Sequence, residues 1–171
     1  THFDEELATV PPRPVTDAAI RAGRTHSPRR LLVHYMQPHL PPVNDDLKVG
    51  LNLDFRDGWG DQNPWKLLER GEGDPNRVKN AYRNNLQPVI EELSILLDNL
   101  SAEKIIVTAD HGNMLGESGK WGHYRPNAIH PAVRHVPWWV TSATDRGTRE
   151  PDIDVEDASQ DLSRSEKLRA L

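Results

Sequence analysis

One long amphipathic pattern and three short apolar runs organise the chain. Val78, Ala81, Tyr82, Leu86, Ile90, Leu93, Leu97 and Leu100 recur at three- and four-residue steps, which predicts a helix over about 76–100. Pro88 falls inside that pattern and is expected to kink or divide the helix. Arg30 to Tyr35, with Pro28 before it and Pro38 after it, reads as a buried strand. Lys104 to Ala109 reads as a second buried strand. Val136 to Thr141 reads as a third, placed at an edge or an entry position by Pro137. Thr16 predicts the cap of a short helix from Asp17 to Arg21, ending near Gly23, and Asn63-Pro64 predicts a brief helix through Glu69. Strand, helix and strand in alternation imply an α/β fold with a mostly parallel sheet flanked by helices.

Prolines and polar stretches divide the rest. Pro11, Pro12 and Pro14 make residues 1–15 an irregular N-terminal segment. Residues 16–144 then form the α/β domain, and 145–171 a polar acidic tail whose end, Ser163 to Leu171, is compatible with a last helix. Residues 37–63 are a long loop rich in Pro, Gly and Asp, and loops of that length inside a compact domain are usually functional or else disordered.

Composition narrows the function classes. The 171 residues are 36% hydrophobic and 27% charged, with a net charge of −5. An acidic chain without a basic stripe does not suit a nucleic-acid partner. No apolar run reaches the roughly 18 residues of a membrane span. No apolar stretch near Thr1 resembles a secretion signal, which leaves the compartment open with a lean towards the cytoplasm. Cysteine is absent, so disulfides, thiolate metal sites and cysteine nucleophiles are excluded. Fifteen Arg against six Lys is a bias that suits a salt-rich interior.

Ligand-type side chains gather at two predicted strand ends. The first is His34-Tyr-Met-Gln-Pro-His39 and the second Asp110-His111-Gly112. In an open α/β sheet, ligands collect beyond the carboxyl ends of the strands. Adjacent parallel strands would therefore bring His39, Asp110 and His111 together. Asp110 and His111 offer a hard oxygen and an imidazole nitrogen, which suits a divalent ion; equally, the aspartate could cap a turn beside a surface histidine. Gly112 would let the backbone turn sharply there. His123 follows a loop containing Gly112, Gly116, Gly119 and Gly122, through which it could fold back onto the same edge. Asn113, Glu117 and Lys120 read as solvated, His34 as a core residue, and His130 and His135 as structural. Trp138 and Trp139 are expected in the core and rim of the third strand; Trp59 and Trp65 either pack the long loop or line a cleft. No phosphate-binding Gly-rich loop and no GxSxG elbow is present.

The run Ile-Ile-Val-Thr-Ala-Asp110-His111-Gly-Asn-Met-Leu-Gly-Glu117-Ser-Gly-Lys-Trp-Gly-His123 resembles the C-terminal metal motif of the sulfatases in the alkaline phosphatase superfamily. Leu32-Val-His34-Tyr-Met-Gln-Pro-His39, the helix from Tyr82 to Leu100, Val136-Pro-Trp-Trp-Val and the ending Glu166 to Leu171 are similar to further segments of that family. The resemblance covers most of residues 14–142. It implies that Asp110 and His111 are ligands of a divalent metal ion (Zn, Mn, Ca or Mg). It also implies that His39 and His123 contact the transferred group, protonate the leaving oxygen or hold a second metal. Several sulfatases carry lysine at the position of His123 and phosphate-transferring relatives carry histidine, so sulfate and phosphate esters both stay open as substrates.

The family's nucleophile lies in an N-terminal half with no counterpart here. The expectation is a C-terminal portion, inactive alone, whose partner is the missing N-terminal half or a complementing chain; an open sheet edge would also permit self-association. The function so implied is hydrolysis of sulfate or phosphate esters. Its alternatives are a phosphate-group transferase of the same superfamily and a non-catalytic metal- or anion-binding remnant.

Overall fold

The computed structural model describes residues 3–43, 63–123 and 128–152. In order, the elements are α1 (Pro12–His26), α2 (Pro64–Glu69), α3 (Pro75–Leu97), β1 (Ala102–Thr108), β2 (Met114–Leu115), a 3-10 turn (Glu117–Gly119), β3 (Trp121–Gly122), α4 (Pro131–Arg134) and β4 (Trp138–Ala143). The proposed helix Ser163 to Leu171, Trp59 and most of the 37–63 loop lie outside the described residues.

The first helix is longer than its predicted span from Asp17 to Arg21. It starts at Pro12, because a proline in the first turn lacks only an N–H that the helix would leave unpaired. It ends where Ser27 turns left-handed and its N–H donates to the Gly23 carbonyl. α2 begins as predicted: the Asn63 side chain accepts from the N–H groups of Trp65 and Lys66. α3 is capped in the same way by Asp74, with Pro75 in its first turn. Its 23 residues run on through Pro88 without division.

The sheets correct the parallel expectation. β1 pairs with β4 antiparallel, matching Ile105 with Thr141, Ile106 with Val140 and Val107 with Trp139. β2 and β3 form a separate antiparallel hairpin. A parallel partner needs a crossover that carries the chain back along the strand. Among the described residues between β1 and β4 the chain makes only the small hairpin with its 3-10 turn and the four-residue α4, and it re-enters beside β1 in the opposite direction. Arg30 to Tyr35 forms no strand: Val33 packs against Ile20 and Leu96, the Tyr35 hydroxyl meets Thr16 Oγ1 at 2.9 Å, and Leu32 faces outward at 93% exposure. His34, expected in the core, is exposed.

Two apolar clusters form at different stretches of α3. Val78 and Ala81 pack with Leu40, Trp65, Leu68 and Trp121, bordered by Tyr82 and Leu115. Further along, Leu96 packs with Ala19 and Ile20 of α1. Trp138 and Trp139, expected in core and rim, stand on opposite faces of β4 at 67% and 50% exposure.

Beyond β4 the chain is pinned back by polar contacts. Arg149 makes a bidentate pair with the buried Asp17, at 2.9 and 3.0 Å. Arg24 clasps Asp145 at 2.7 and 2.8 Å. Between them the buried Asn99 accepts from the Arg149 N–H and donates to the Thr148 hydroxyl. Among the described residues no helix is long and apolar enough to cross a membrane.

Candidate functional site

Three histidines from distant parts of the sequence come together beside α3. The rings of His111 and His123 lie 4.3 Å apart between centroids, and those of His39 and His123 6.3 Å apart. His123 is therefore the middle member. His39 reaches it from the loop that follows Tyr35, anchored by the buried Leu40 beside it. His111 arrives from the end of β1, and His123 from the residue after β3.

Hydrogen bonds fix which nitrogen of each ring carries the proton. His39 Nδ1 faces the carbonyl of Leu40, and His111 Nδ1 faces that of Gly112 at 2.8 Å. A carbonyl oxygen only accepts, so Nδ1 is the donor in both rings. His123 Nδ1 donates to Asn113 Oδ1 at 2.9 Å. In the neutral form of each ring the lone pair then sits on Nε2. His130 has the opposite arrangement: its Nδ1 accepts from the Ala132 N–H and caps α4, which agrees with a structural role.

The surroundings tune these groups. Burial first, then the neighbouring His111 and His39 imidazoles, hold the His123 pKa below its ordinary value, and Asp110 opposes them. The phenol of Tyr82 is raised, by burial first and by Asp110 second. Tyr82 packs edge-on against Trp65, with centroids 5.7 Å apart. That places Trp65 in the core rather than along a cleft.

Asp110 stays next to His111, its Oδ2 3.8 Å from His111 Nε2, and is 74% exposed. Among the described residues no group of three or more histidine, aspartate or glutamate side chains converges to hold a metal ion. Among the described residues Asp110 and His111 supply two donors, short of the four or more that such ions take.

Gly112 works differently from its expected sharp turn. Its N–H donates to the Val133 carbonyl at 2.7 Å, and a Cβ there would stand 2.1 Å from the Ala132 carbonyl oxygen. Glycine is needed for close approach to α4, which holds the Asp110–His111 turn against the body of the protein. Glu117 and Lys120 are exposed, as expected of solvated loop residues, and the Glu117 carboxylate accepts from the Leu115 N–H. Asn113 departs from that expectation, because it is the acceptor for His123. Tyr82 was legible only as an apolar helix position, and no local signal marks its place near Asp110.

No family model matches the chain, and no solved structure matches it. A curated protein of Haloferax volcanii, described as the low-salt glycan biosynthesis sulfotransferase Agl7, is 32% identical over 112 residues. That match takes in 62% of this chain and 25% of the relative, so the chain spans about a quarter of the relative's length. It overturns the resemblance to the sulfatases: the relative is described by transfer of a sulfate group, not by hydrolysis of a sulfate ester.

Proposed function

We propose that this chain carries the imidazole cluster of an enzyme that transfers a sulfate group to a hydroxyl acceptor. The observation that carries the reading is the meeting of His39, His111 and His123, with Nδ1 of each ring committed to an oxygen. The likeness to a curated sulfotransferase supports it.

The chemistry follows from the protonation states. His123, held neutral near pH 7 by its lowered pKa, accepts at Nε2 the proton of the attacking hydroxyl. The acceptor oxygen bonds to sulfur as the bond from sulfur to the donor oxygen breaks, and the leaving oxygen departs with the bonding pair. His39 and His111, when protonated, place positive charge against the sulfuryl oxygens and supply a proton to the leaving oxygen. A neutral imidazole to take the proton and two further imidazoles beside it are groups that in-line transfer can use.

The test uses the native polypeptide that carries this sequence, with p-nitrophenyl sulfate as donor and a polyol as acceptor. Release of p-nitrophenol that depends on the polyol, with sulfated polyol seen by mass spectrometry, is the expected result. Full-rate release into water alone, yielding inorganic sulfate, refutes transfer. The same assay with p-nitrophenyl phosphate separates sulfate from phosphate transfer.

A further inference from the structure

We infer that Asn85 is a positioning residue, one that sets where the His39 ring stands relative to His123. Asn85 lies on α3 and is fully buried. Its Nδ2 donates to the His39 carbonyl at 2.9 Å, and its Oδ1 accepts from the Val43 N–H at 2.9 Å. One side chain thereby bridges two backbone groups at the ends of the 39–43 loop. A buried amide left unpaired is costly, so the bridge holds both ends of the loop at one register against α3.

The helix makes this bridge part of the site's frame. Val78, Ala81, Tyr82 and Asn85 fall at spacings of three and four, on one face of α3. That face packs the core through Val78 and Ala81, sets Tyr82 near Asp110, and pins His39 through Asn85. The two sides of the imidazole cluster are thus referred to a single rigid element. Among the described residues the loop is further held by the His39 N–H on the Met36 carbonyl at 3.0 Å and by the burial of Leu40, Pro41 and Pro42. None of these touches the His39 carbonyl, so loss of the Asn85 donor frees that end of the loop and lets the ring move from its 6.3 Å spacing to His123.

This inference deepens the site of the proposed transferase, and its readout needs no turnover, so it stands or fails separately from sulfate transfer. The experiment is ring-proton NOE spectroscopy on the 171-residue chain. His111–His123 serves as the internal reference and His39–His123 as the reporter. Asn85→Ala removes both hydrogen bonds, while Asn85→Ser, a milder truncation, keeps a hydroxyl at the site should the alanine variant not fold. Asn99→Ala is the control for stability alone, because Asn99 is an equally buried asparagine that binds the 148–149 segment instead. The expected result is loss of the His39–His123 cross-peak in the Asn85 variants with the His111–His123 cross-peak retained, and both cross-peaks retained in Asn99→Ala. A folded Asn85 variant with an unchanged His39–His123 cross-peak overturns the inference. So does loss of that cross-peak in Asn99→Ala, which would make it a general consequence of destabilisation.

Discussion

Gly112→Ala is the substitution whose effect the structure fixes most tightly. The new Cβ would lie 2.1 Å from the Ala132 carbonyl oxygen and 3.3 Å from that of His135, where ordinary contact begins at 3.4 Å. Both obstacles are backbone, so no side chain can swing aside; either the Asp110–His111 turn or α4 must shift by more than an ångström. Overpacking of this kind costs about 1–3 kcal/mol. The shift also breaks the 2.7 Å bond from the Gly112 N–H to the Val133 carbonyl, worth about 1 kcal/mol. A total of about 3 kcal/mol lowers the melting temperature of a chain this size by about 6–12 °C. Calorimetry of wild type and variant measures it. Gly119→Ala is the companion: Gly119 has φ +70° with nothing within 4 Å of its Cβ position, so only left-handed strain of roughly 1 kcal/mol is expected. Equal melting temperatures for Gly112→Ala and wild type would refute the close-approach reasoning. Equal losses in the two variants would assign the effect to backbone strain instead.

The polar strap beyond β4 and the central imidazole yield the remaining predictions. Asp17→Ala leaves the Arg149 guanidinium, 17% exposed, without its bidentate partner, and is expected to cost about 3 kcal/mol by urea denaturation; Arg149→Met in the same background should recover most of that loss. The Arg24 hydrogen bond, with help from the Gly147 N–H, lowers Asp145 to about 2. Its folded pKa lies below its unfolded one, so the contribution to stability is full above about pH 4 and disappears as pH falls towards 2. Asp145→Asn should flatten the acid limb of a stability–pH curve in that window. In the native enzyme, His123→Ala is expected to lower kcat by about 10²-fold or more, the usual worth of a general base. The rate's acidic limb should also fall below pH 6.5, the ordinary histidine value, because the base must be neutral and burial beside His111 and His39 lowers its pKa; an acidic limb centred above that value would refute the assignment.

What the sequence displays is what short-range physics determines. The period of α3 is legible because Val78 and Ala81, buried on one face, repeat at helical spacing, and the Asn63 cap is legible because capping is settled within three residues. The apolar run Ile105-Ile106-Val107 correctly announces a strand. The alternation of helix and strand around it suggested a parallel sheet. Orientation is decided by how the next thirty residues travel, and local hydrophobicity carries no record of that route. The same limit explains Arg30 to Tyr35, where strand-like composition meets no described partner to complete a ladder, and α1, where three prolines look like a break until Pro12 occupies the helix start.

The histidines show the limit at the scale of a single proton. Residue types and spacing single out His39, His111 and His123, but a lone pair on Nε2 follows only once Nδ1 finds an oxygen. For His39 and His111 that oxygen is the next residue's carbonyl, set by the local turn. For His123 it is Asn113, ten positions away across the β2–β3 hairpin, a residue that composition alone assigns to solvent. His130, also beside a proline, turns its Nδ1 to the helix it caps and so presents the reverse tautomer. Identical side chains thus become different reagents through their acceptors. In His123 burial and the two neighbouring rings outweigh Asp110 and hold the pKa down, while the Asn113 acceptor decides which nitrogen bears the lone pair.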